Sequence, residues 1–286
     1  MRAIVSFDVE DWHQLVGRRL GLPDEKNPAF ERQMRTIFAL LDELGVHATF
    51  FLLGMSVERH PRVVEEIVAR GDEVACHGYA HERVYAQGRD DFRADVERCV
   101  ALVERLTGRR PFGYRAPAFS ITREAVWAYD VLAELGFRYD SSQYDSPRIP
   151  NRITPVPSAP YRLRLESGRE LDEFPIAVWR RIPVGGGAYW RVLPAAVLRR
   201  ALAALPAPAL YFHPYELDPE PLRVQGAPWR TAAALSLRRN PGRGLVARRL
   251  RAISREFTLG SYEEAYADAG SPRAGSKALS PQGVLV

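Results

Sequence analysis

Three carboxylates and a histidine crowd into the stretch Ser6 to His13, S-F-D-V-E-D-W-H, directly after the apolar run Ala3-Ile4-Val5. Like charges this close repel one another unless a cation, an arginine or a proton-transfer role compensates them. A second cluster lies at C-H-G-Y-A-H, where His77 and His81 stand four residues apart. One helical turn would set both imidazoles on one side, and two histidines with one carboxylate form a common ligand set for a catalytic divalent ion. Zinc is the first expectation, with cobalt, nickel or manganese as alternatives. A metal explains the crowding of Asp8, Glu10 and Asp11: one carboxylate ligates and another stays free as a base. Simpler readings compete. Asp8 and Asp11 could cap the next segment, and the two histidines could be core or surface residues.

Other polar groups fall where strands are expected to end: Arg115 in R-A-P, Asp140 in Y-D-S-S and His213 in F-H-P-Y-E. In parallel α/β architectures the carboxyl ends of strands gather on one face, which is where sites assemble. Arg115 could instead be a structural ion-pair partner, and His213 a turn residue bonded to backbone. Trp12, Tyr189 and Trp190 have flat faces suited to the apolar side of a sugar ring, or else they belong to the packing. His13 has no assigned role beyond its place beside the acids.

The elements that must position these groups alternate along the first half. Residues 3–7 read as a strand. Phe30, Met34, Ile37, Phe38, Leu41 and Leu44 follow helical spacing and stop at Gly45. Residues 48–53 form a β-branched and aromatic run, a helix is predicted over about 57–70, and a third strand over Glu73–Cys76. Helical spacing returns over 91–106 and 122–135. Repeated strand–helix units with short loops argue for a parallel sheet or a (β/α) barrel. Prolines and glycines crowd residues 145–194, predicting loops and short hairpins. A helix near 194–205 and a strand over 209–212 follow.

The 286 residues, 46% of them hydrophobic, suffice for one large α/β domain. Net charge is +5, with much of the excess in an arginine-rich C-terminal third. Such a surface could meet anionic lipid or an acidic glycan, although a solvated arginine face is the simpler reading and no nucleic-acid partner is expected. Cys76 and Cys99 form no CxxC pattern and are expected as reduced, buried thiols. No charged-then-apolar leader opens the sequence, and no apolar stretch approaches the roughly 20 residues that span a bilayer. A cytoplasmic protein with at most peripheral membrane contact is expected.

Together these motifs resemble the polysaccharide deacetylases of carbohydrate esterase family 4. S-F-D-V-E-D-W-H-Q, H-G-Y-A-H-E-R-V-Y, G-Y-R-A-P-A-F-S-I-T, Y-D-S-S, G-G-G-A-Y-W-R-V-L-P and Y-F-H-P-Y-E-L-D-P-E are similar, in family order, to the subgroup found with exosortase and exopolysaccharide gene clusters. The resemblance implies a distorted (β/α) barrel of seven or eight strands, a single domain over residues 1–268, with 269–286 a flexible tail. It implies Asp8 as catalytic base, His77 and His81 as metal histidines, Arg115 as the group orienting the base and His213 as general acid. By analogy with members reading D-x-D, Glu10 takes the third ligand position, with Asp11 the fallback. The oxyanion would be held by the metal and a backbone N–H near Tyr144, and Tyr144 joins the aromatic residues as a substrate contact. The implied activity is removal of N-acetyl groups from an amino sugar in a polysaccharide or lipid-linked glycan. Two alternatives are a related hydrolase of another C–N bond in a small metabolite and an inactive glycan-binding homologue.

Overall fold

Alternation within the first strand sets the architecture. The computed structural model describes residues 2–11, 17, 20–22, 27–221, 226–268, 274–280 and 282–285. In chain order its strands are β1 (Arg2–Val9), β2 (Thr49–Leu52), β3 (Glu73–Cys76), β4 (Gly113–Tyr114), β5 (Tyr139–Asp140), β6 (Tyr161–Arg164), β7 (Glu170–Glu173), β8 (Ala209–Phe212), β9 (Thr258–Gly260) and β10 (Ser276–Ala278). Val5, Phe7 and Val9 of β1 join the large apolar cluster shared with the helices, whereas Ile4 joins a second, inner cluster. Side chains alternate along a strand, so Ser6 and Asp8 share the inner face with Ile4.

The strands form one sheet in the order β10-β6-β7-β5-β4-β3-β2-β1-β8, with β9 also on β1. Every pairing is parallel except β6 with β7. Isolated parallel bridges, Ile176 with Ala209 and Gly186 with Tyr211, bring the segment after β7 against β8. The result is the expected α/β fold with a mostly parallel central sheet. The ten strands exceed the expected seven or eight because the β6–β7 ribbon and β10 extend one edge.

The helices are α1 (Phe30–Leu44), α2 (Gly54–Arg59), α3 (Pro61–Ala69), α4 (Arg89–Thr107), α5 (Trp127–Glu134), α6 (Gly187–Val192), α7 (Ala195–Ala203), α8 (Pro214–Leu217), α9 (Trp229–Arg239), α10 (Arg243–Ser254) and α11 (Tyr262–Ala267), and the buried sides of α1, α3, α4, α5, α7 and α10 pack on the outer face of the sheet. The spacing in α1 buries Phe30, Met34, Ile37, Phe38 and Leu41, and Gly45 closes the helix at φ 61°, a conformation glycine adopts at little cost. The single helix expected over 57–70 is two. Pro61 has no N–H to continue the ladder of α2, so α2 ends before it and α3 starts on it.

The inner face is filled from one end by α11, whose Ser261–Glu264 capping box fixes its start. Tyr262 is fully buried, stacked on Tyr139 at 5.3 Å and edge-on to Phe51 and Phe174. Part of the expected tail is paired: β10 lies parallel to β6, and Leu279 beyond it is buried. An open strand edge asks only for backbone partners, a requirement that leaves little trace in side-chain periodicity. Cys76 and Cys99 are free and buried. Among the described residues no helix is long and apolar enough to cross a membrane.

Candidate active site

Asp8 sits near the end of β1 on the inner face of the sheet; Glu10 lies just past the strand, its N–H donating to the Asp8 carbonyl at 2.9 Å, and both carboxylates are buried. The partner of Asp8 is Arg115, which follows β4. Nη1 of Arg115 donates to Asp8 Oδ1 at 2.6 Å and to Ser6 Oγ at 3.0 Å. Nη2 donates to Ser141 Oγ at 3.1 Å and Tyr262 Oη at 2.8 Å, and Nε donates to the Ser141 carbonyl at 3.2 Å. All five guanidinium donors are thereby used. The guanidinium also lies 3.9 Å from the Phe51 ring centroid. A fully buried cation held this completely cannot swing, so it fixes the direction of the Asp8 carboxylate.

Beside this pair, one ligating atom from each of Glu10, His77 and His81 can lie within 4.8 Å of the others. Two features show that the set suits a cation. His77 Nδ1 lies 2.8 Å from the Arg115 carbonyl, an acceptor only, so Nδ1 carries the proton and Nε2 offers a lone pair. Glu10 Oε2 and His81 Nε2 approach to 2.5 Å, yet both are buried atoms without a hydrogen bond of proper geometry. Buried polar atoms normally have a partner; a divalent ion shared by the three side chains would supply one. Burial pushes the His77 pKa down, which keeps the ring neutral and able to ligate. Burial alone would raise Glu10, but His81 and His213 outweigh it and hold the carboxyl well below the usual carboxylate range.

The histidines are not presented by a helical turn, as their spacing suggested. They belong to a loop in which Gly78 has φ 73° and His81 φ 57°. Asp95 of α4 pins that loop by accepting the Tyr79 N–H at 2.7 Å and the Ala80 N–H at 2.9 Å. Its place in a regular helical run, D-F-R-A-D-V-E, gave no sign of this role.

His213 follows β8 and caps α8. Its Nε2 lies 3.2 Å from Glu10 Oε1 and its Nδ1 lies 3.2 Å from Glu216 Oε2. Burial would lower this imidazole's pKa, and the two carboxylates together raise it above the ordinary histidine value. Gly187 lets Glu216 approach: a Cβ there would stand 2.2 Å from Glu216 Oε2.

Of the carboxylates beside the histidines, Glu10 is in the group and Asp11 is not. Asp11 is buried and accepts from Asn27 Nδ2 at 3.3 Å. Tyr144 is buried edge-on to Tyr211 at 5.9 Å, and Tyr211 in turn lies edge-on to His213 at 5.7 Å. Tyr189 is half-buried under the Arg148 guanidinium. Trp190 is a correction: it is 0% exposed, donates Nε1–H to the Val184 carbonyl and packs edge-on to Phe212, so no face is left for a sugar. Trp12 and His13 lie outside the described residues. Ser6, Ser141, Tyr262, Asp95 and Glu216 are supporting groups that carried no role in the sequence, although Ser6, Ser141 and Glu216 stand in the quoted motifs.

Residues 24–139 match the family model described as polysaccharide deacetylase, and residues 141–267 match a domain of unknown function (DUF3473). The segment from α1 to β5 thus matches a polysaccharide deacetylase domain. Among curated proteins, a peptidoglycan deacetylase-like protein of Gibberella zeae is 35% identical over 108 residues, 37% of this chain and 31% of that one. A peptidoglycan deacetylase of Helicobacter pylori is 34% identical over 109 residues, 37% of this chain and 35% of that one. A chitooligosaccharide deacetylase of Sinorhizobium fredii is 32% identical over 117 residues, 40% of this chain and 49% of that one. The chain thus spans between 31% and 49% of the length of these relatives. The fold is shared with a polysaccharide deacetylase candidate from Mycobacterium smegmatis, at TM-score 0.56 and 24% identity over 90% of this chain and 92% of that one. It is also shared with a family 4 pseudoenzyme from Bacillus anthracis, at TM-score 0.51 and 14% identity over 92% of this chain and 64% of that one.

Proposed function

We propose that this protein hydrolyses N-acetyl groups from an amino sugar within a polysaccharide or lipid-linked glycan, releasing acetate and a free amine. The observation that carries the reading is the pairing of two adjacent buried constellations: the Asp8–Arg115 ion pair, and the Glu10, His77 and His81 group with its unsatisfied atoms turned toward one another.

A divalent cation held by Glu10, His77 and His81, with zinc the first choice for this donor set, supplies Lewis acidity at the acyl group. Asp8 accepts a proton from the attacking water, a task that needs an unligated carboxylate within hydrogen-bond reach. Arg115 keeps that carboxylate aimed. His213, protonated, gives its proton to the nitrogen as the C–N bond breaks; Glu216 holds its Nδ1 so that Nε2 faces the site. Among the described residues Tyr189, half-buried beneath Arg148, is a more accessible aromatic contact for a sugar ring than the buried Tyr144. Two free buried thiols suit a reducing, cytoplasmic location.

The test is metal content together with acetate release from N-acetylglucosamine oligomers. Asp8→Asn is expected to keep the metal and lose acetate release, whereas Glu10→Gln and His81→Ala lose both. Release by Asp8→Asn at the wild-type rate would overturn the base assignment. Metal loss in Asp11→Asn alone would overturn the ligand assignment.

A further inference from the structure

The most exposed large apolar side chains of the described residues are Leu237 (77%), Trp229 (75%) and Val192 (71%). Two of them belong to α9, an 11-residue helix without a single buried residue. At 3.6 residues per turn, Trp229, Arg230, Ala233, Leu237 and Arg238 fall on one side of α9, and all five are exposed. The third, Val192, adjoins Arg191 of α6, whose Nη1 donates to the Arg239 carbonyl at the end of α9. An apolar stripe of this kind on solvent marks an interaction site.

Its charge selects the partner. No aspartate or glutamate occurs between Glu220 and Glu256, an interval holding nine arginines. Arg230 and Arg238 have no carboxylate partner among the described residues, and the Arg230 guanidinium lies 5.3 Å from the Trp229 ring centroid. Two copies of the chain meeting through this face would set arginine against arginine. Tryptophan and leucine interleaved with unpaired arginine are the composition of a helix lying in the interface of an anionic bilayer.

We infer that the outward face of α9 docks on a membrane surface rich in anionic lipid. The helix is too short to span and lies on the surface instead. Docking also orients the site. Arg239, on the inner side of α9, donates to Tyr215 Oη at 2.8 Å, and the Tyr215 ring stacks on His213 at 5.7 Å. A glycan carried on a lipid would thus arrive beside the proposed general acid. That orientation rests on the function proposed above; the docking itself does not.

The test is co-sedimentation of the full chain with phosphatidylcholine vesicles, with and without phosphatidylglycerol, at low salt. The wild type is expected to pellet with the anionic vesicles only. Neutralising both arginines, Arg230→Gln with Arg238→Gln, is expected to weaken binding roughly thirtyfold. Trp229→Ala with Leu237→Ser, both at exposed positions, is expected to weaken it by about tenfold or more. Acetate release from soluble N-acetylglucosamine oligomers should be unchanged in either variant. Wild-type protein that stays in the supernatant overturns the inference, as does a Trp229→Ala/Leu237→Ser variant that pellets like wild type. Concentration-dependent dimers that this variant abolishes would also overturn it, in favour of a second copy on the same face. Absence of acetate release in every protein would count against the proposed function and leave the vesicle result decisive.

Discussion

Replacing Arg115 by methionine keeps much of the side-chain volume and removes the charge. Asp8, buried, would then lose the cation that faces it, and breaking one half of a buried ion pair costs about 3–5 kcal/mol. For 286 residues at about 2.1 cal/mol/K each, the unfolding entropy is about 0.6 kcal/mol/K, so Tm should fall by about 5–8 °C. Arg115→Lys retains the charge but offers three donors where five are used, and should lose less stability than methionine. Both variants should lose about 100-fold or more in acetate release, because a carboxylate displaced by 1 Å is no longer aimed. Calorimetry on Asp8→Asn, Arg115→Met and the double variant completes the cycle. The double variant should be less destabilised than the two singles summed. Additive losses, or an Arg115→Met protein melting within a degree of wild type, would refute the claim that this ion pair is an energetic unit.

Asp95→Ala removes the acceptor of two loop N–H groups between His77 and His81, and metal affinity should fall about 10–100-fold with the three proposed ligands intact; a chelator titration reads this. Burial raises Glu73 to about 7 from 4.5. Between those values the native state keeps a proton that the unfolded chain has released, so this contribution to stability is complete below 4.5 and is lost as pH rises to 7. Glu73→Gln should flatten that slope in urea midpoints measured across the window, and parallel curves for the two proteins would contradict the assignment. Gly187→Ala puts a methyl against Glu216 and should disturb His213 while sparing the three ligands; acetate release should drop with metal content unchanged.

The sequence pattern disclosed Asp8 because period-two alternation sets it on one face of β1 with Ile4 and Ser6; Glu10 lies one residue past the strand, where alternation no longer decides. The helix over Phe30–Leu44 was legible for the same reason, its spacing being dictated by one buried stripe. The His77–His81 loop was misjudged because a four-residue interval fits a helical turn and a pinned loop alike, and the pin, Asp95, comes from another element. Trp190 was ambiguous because an indole is equally suited to a sugar and to a core; only Phe212 and the Val184 carbonyl decide. Tyr262 lies 147 residues from Arg115, a separation at which local pattern carries no information.

The placement of β1 has a consequence for synthesis. Of the described strands β1 leaves the ribosome before the others, and it pairs with Thr258–Gly260 at Arg2–Ile4 and with Ala209–Phe212 at Ile4–Phe7. At about 5–20 residues per second, roughly 13–50 s separate the emergence of Arg2 from that of Thr258. Throughout that interval an apolar strand waits with one edge incomplete, and Arg115 waits for Tyr262. The two matched family segments, which meet near residue 140, share one sheet: β1, which precedes both, pairs with β2 of the first and with β8 and β9 of the second. Nascent chains halted before β8 should be held by chaperones and cleaved readily by protease, and protection of Ala3–Ile4–Val5 should appear only after the C-terminal strands have been released.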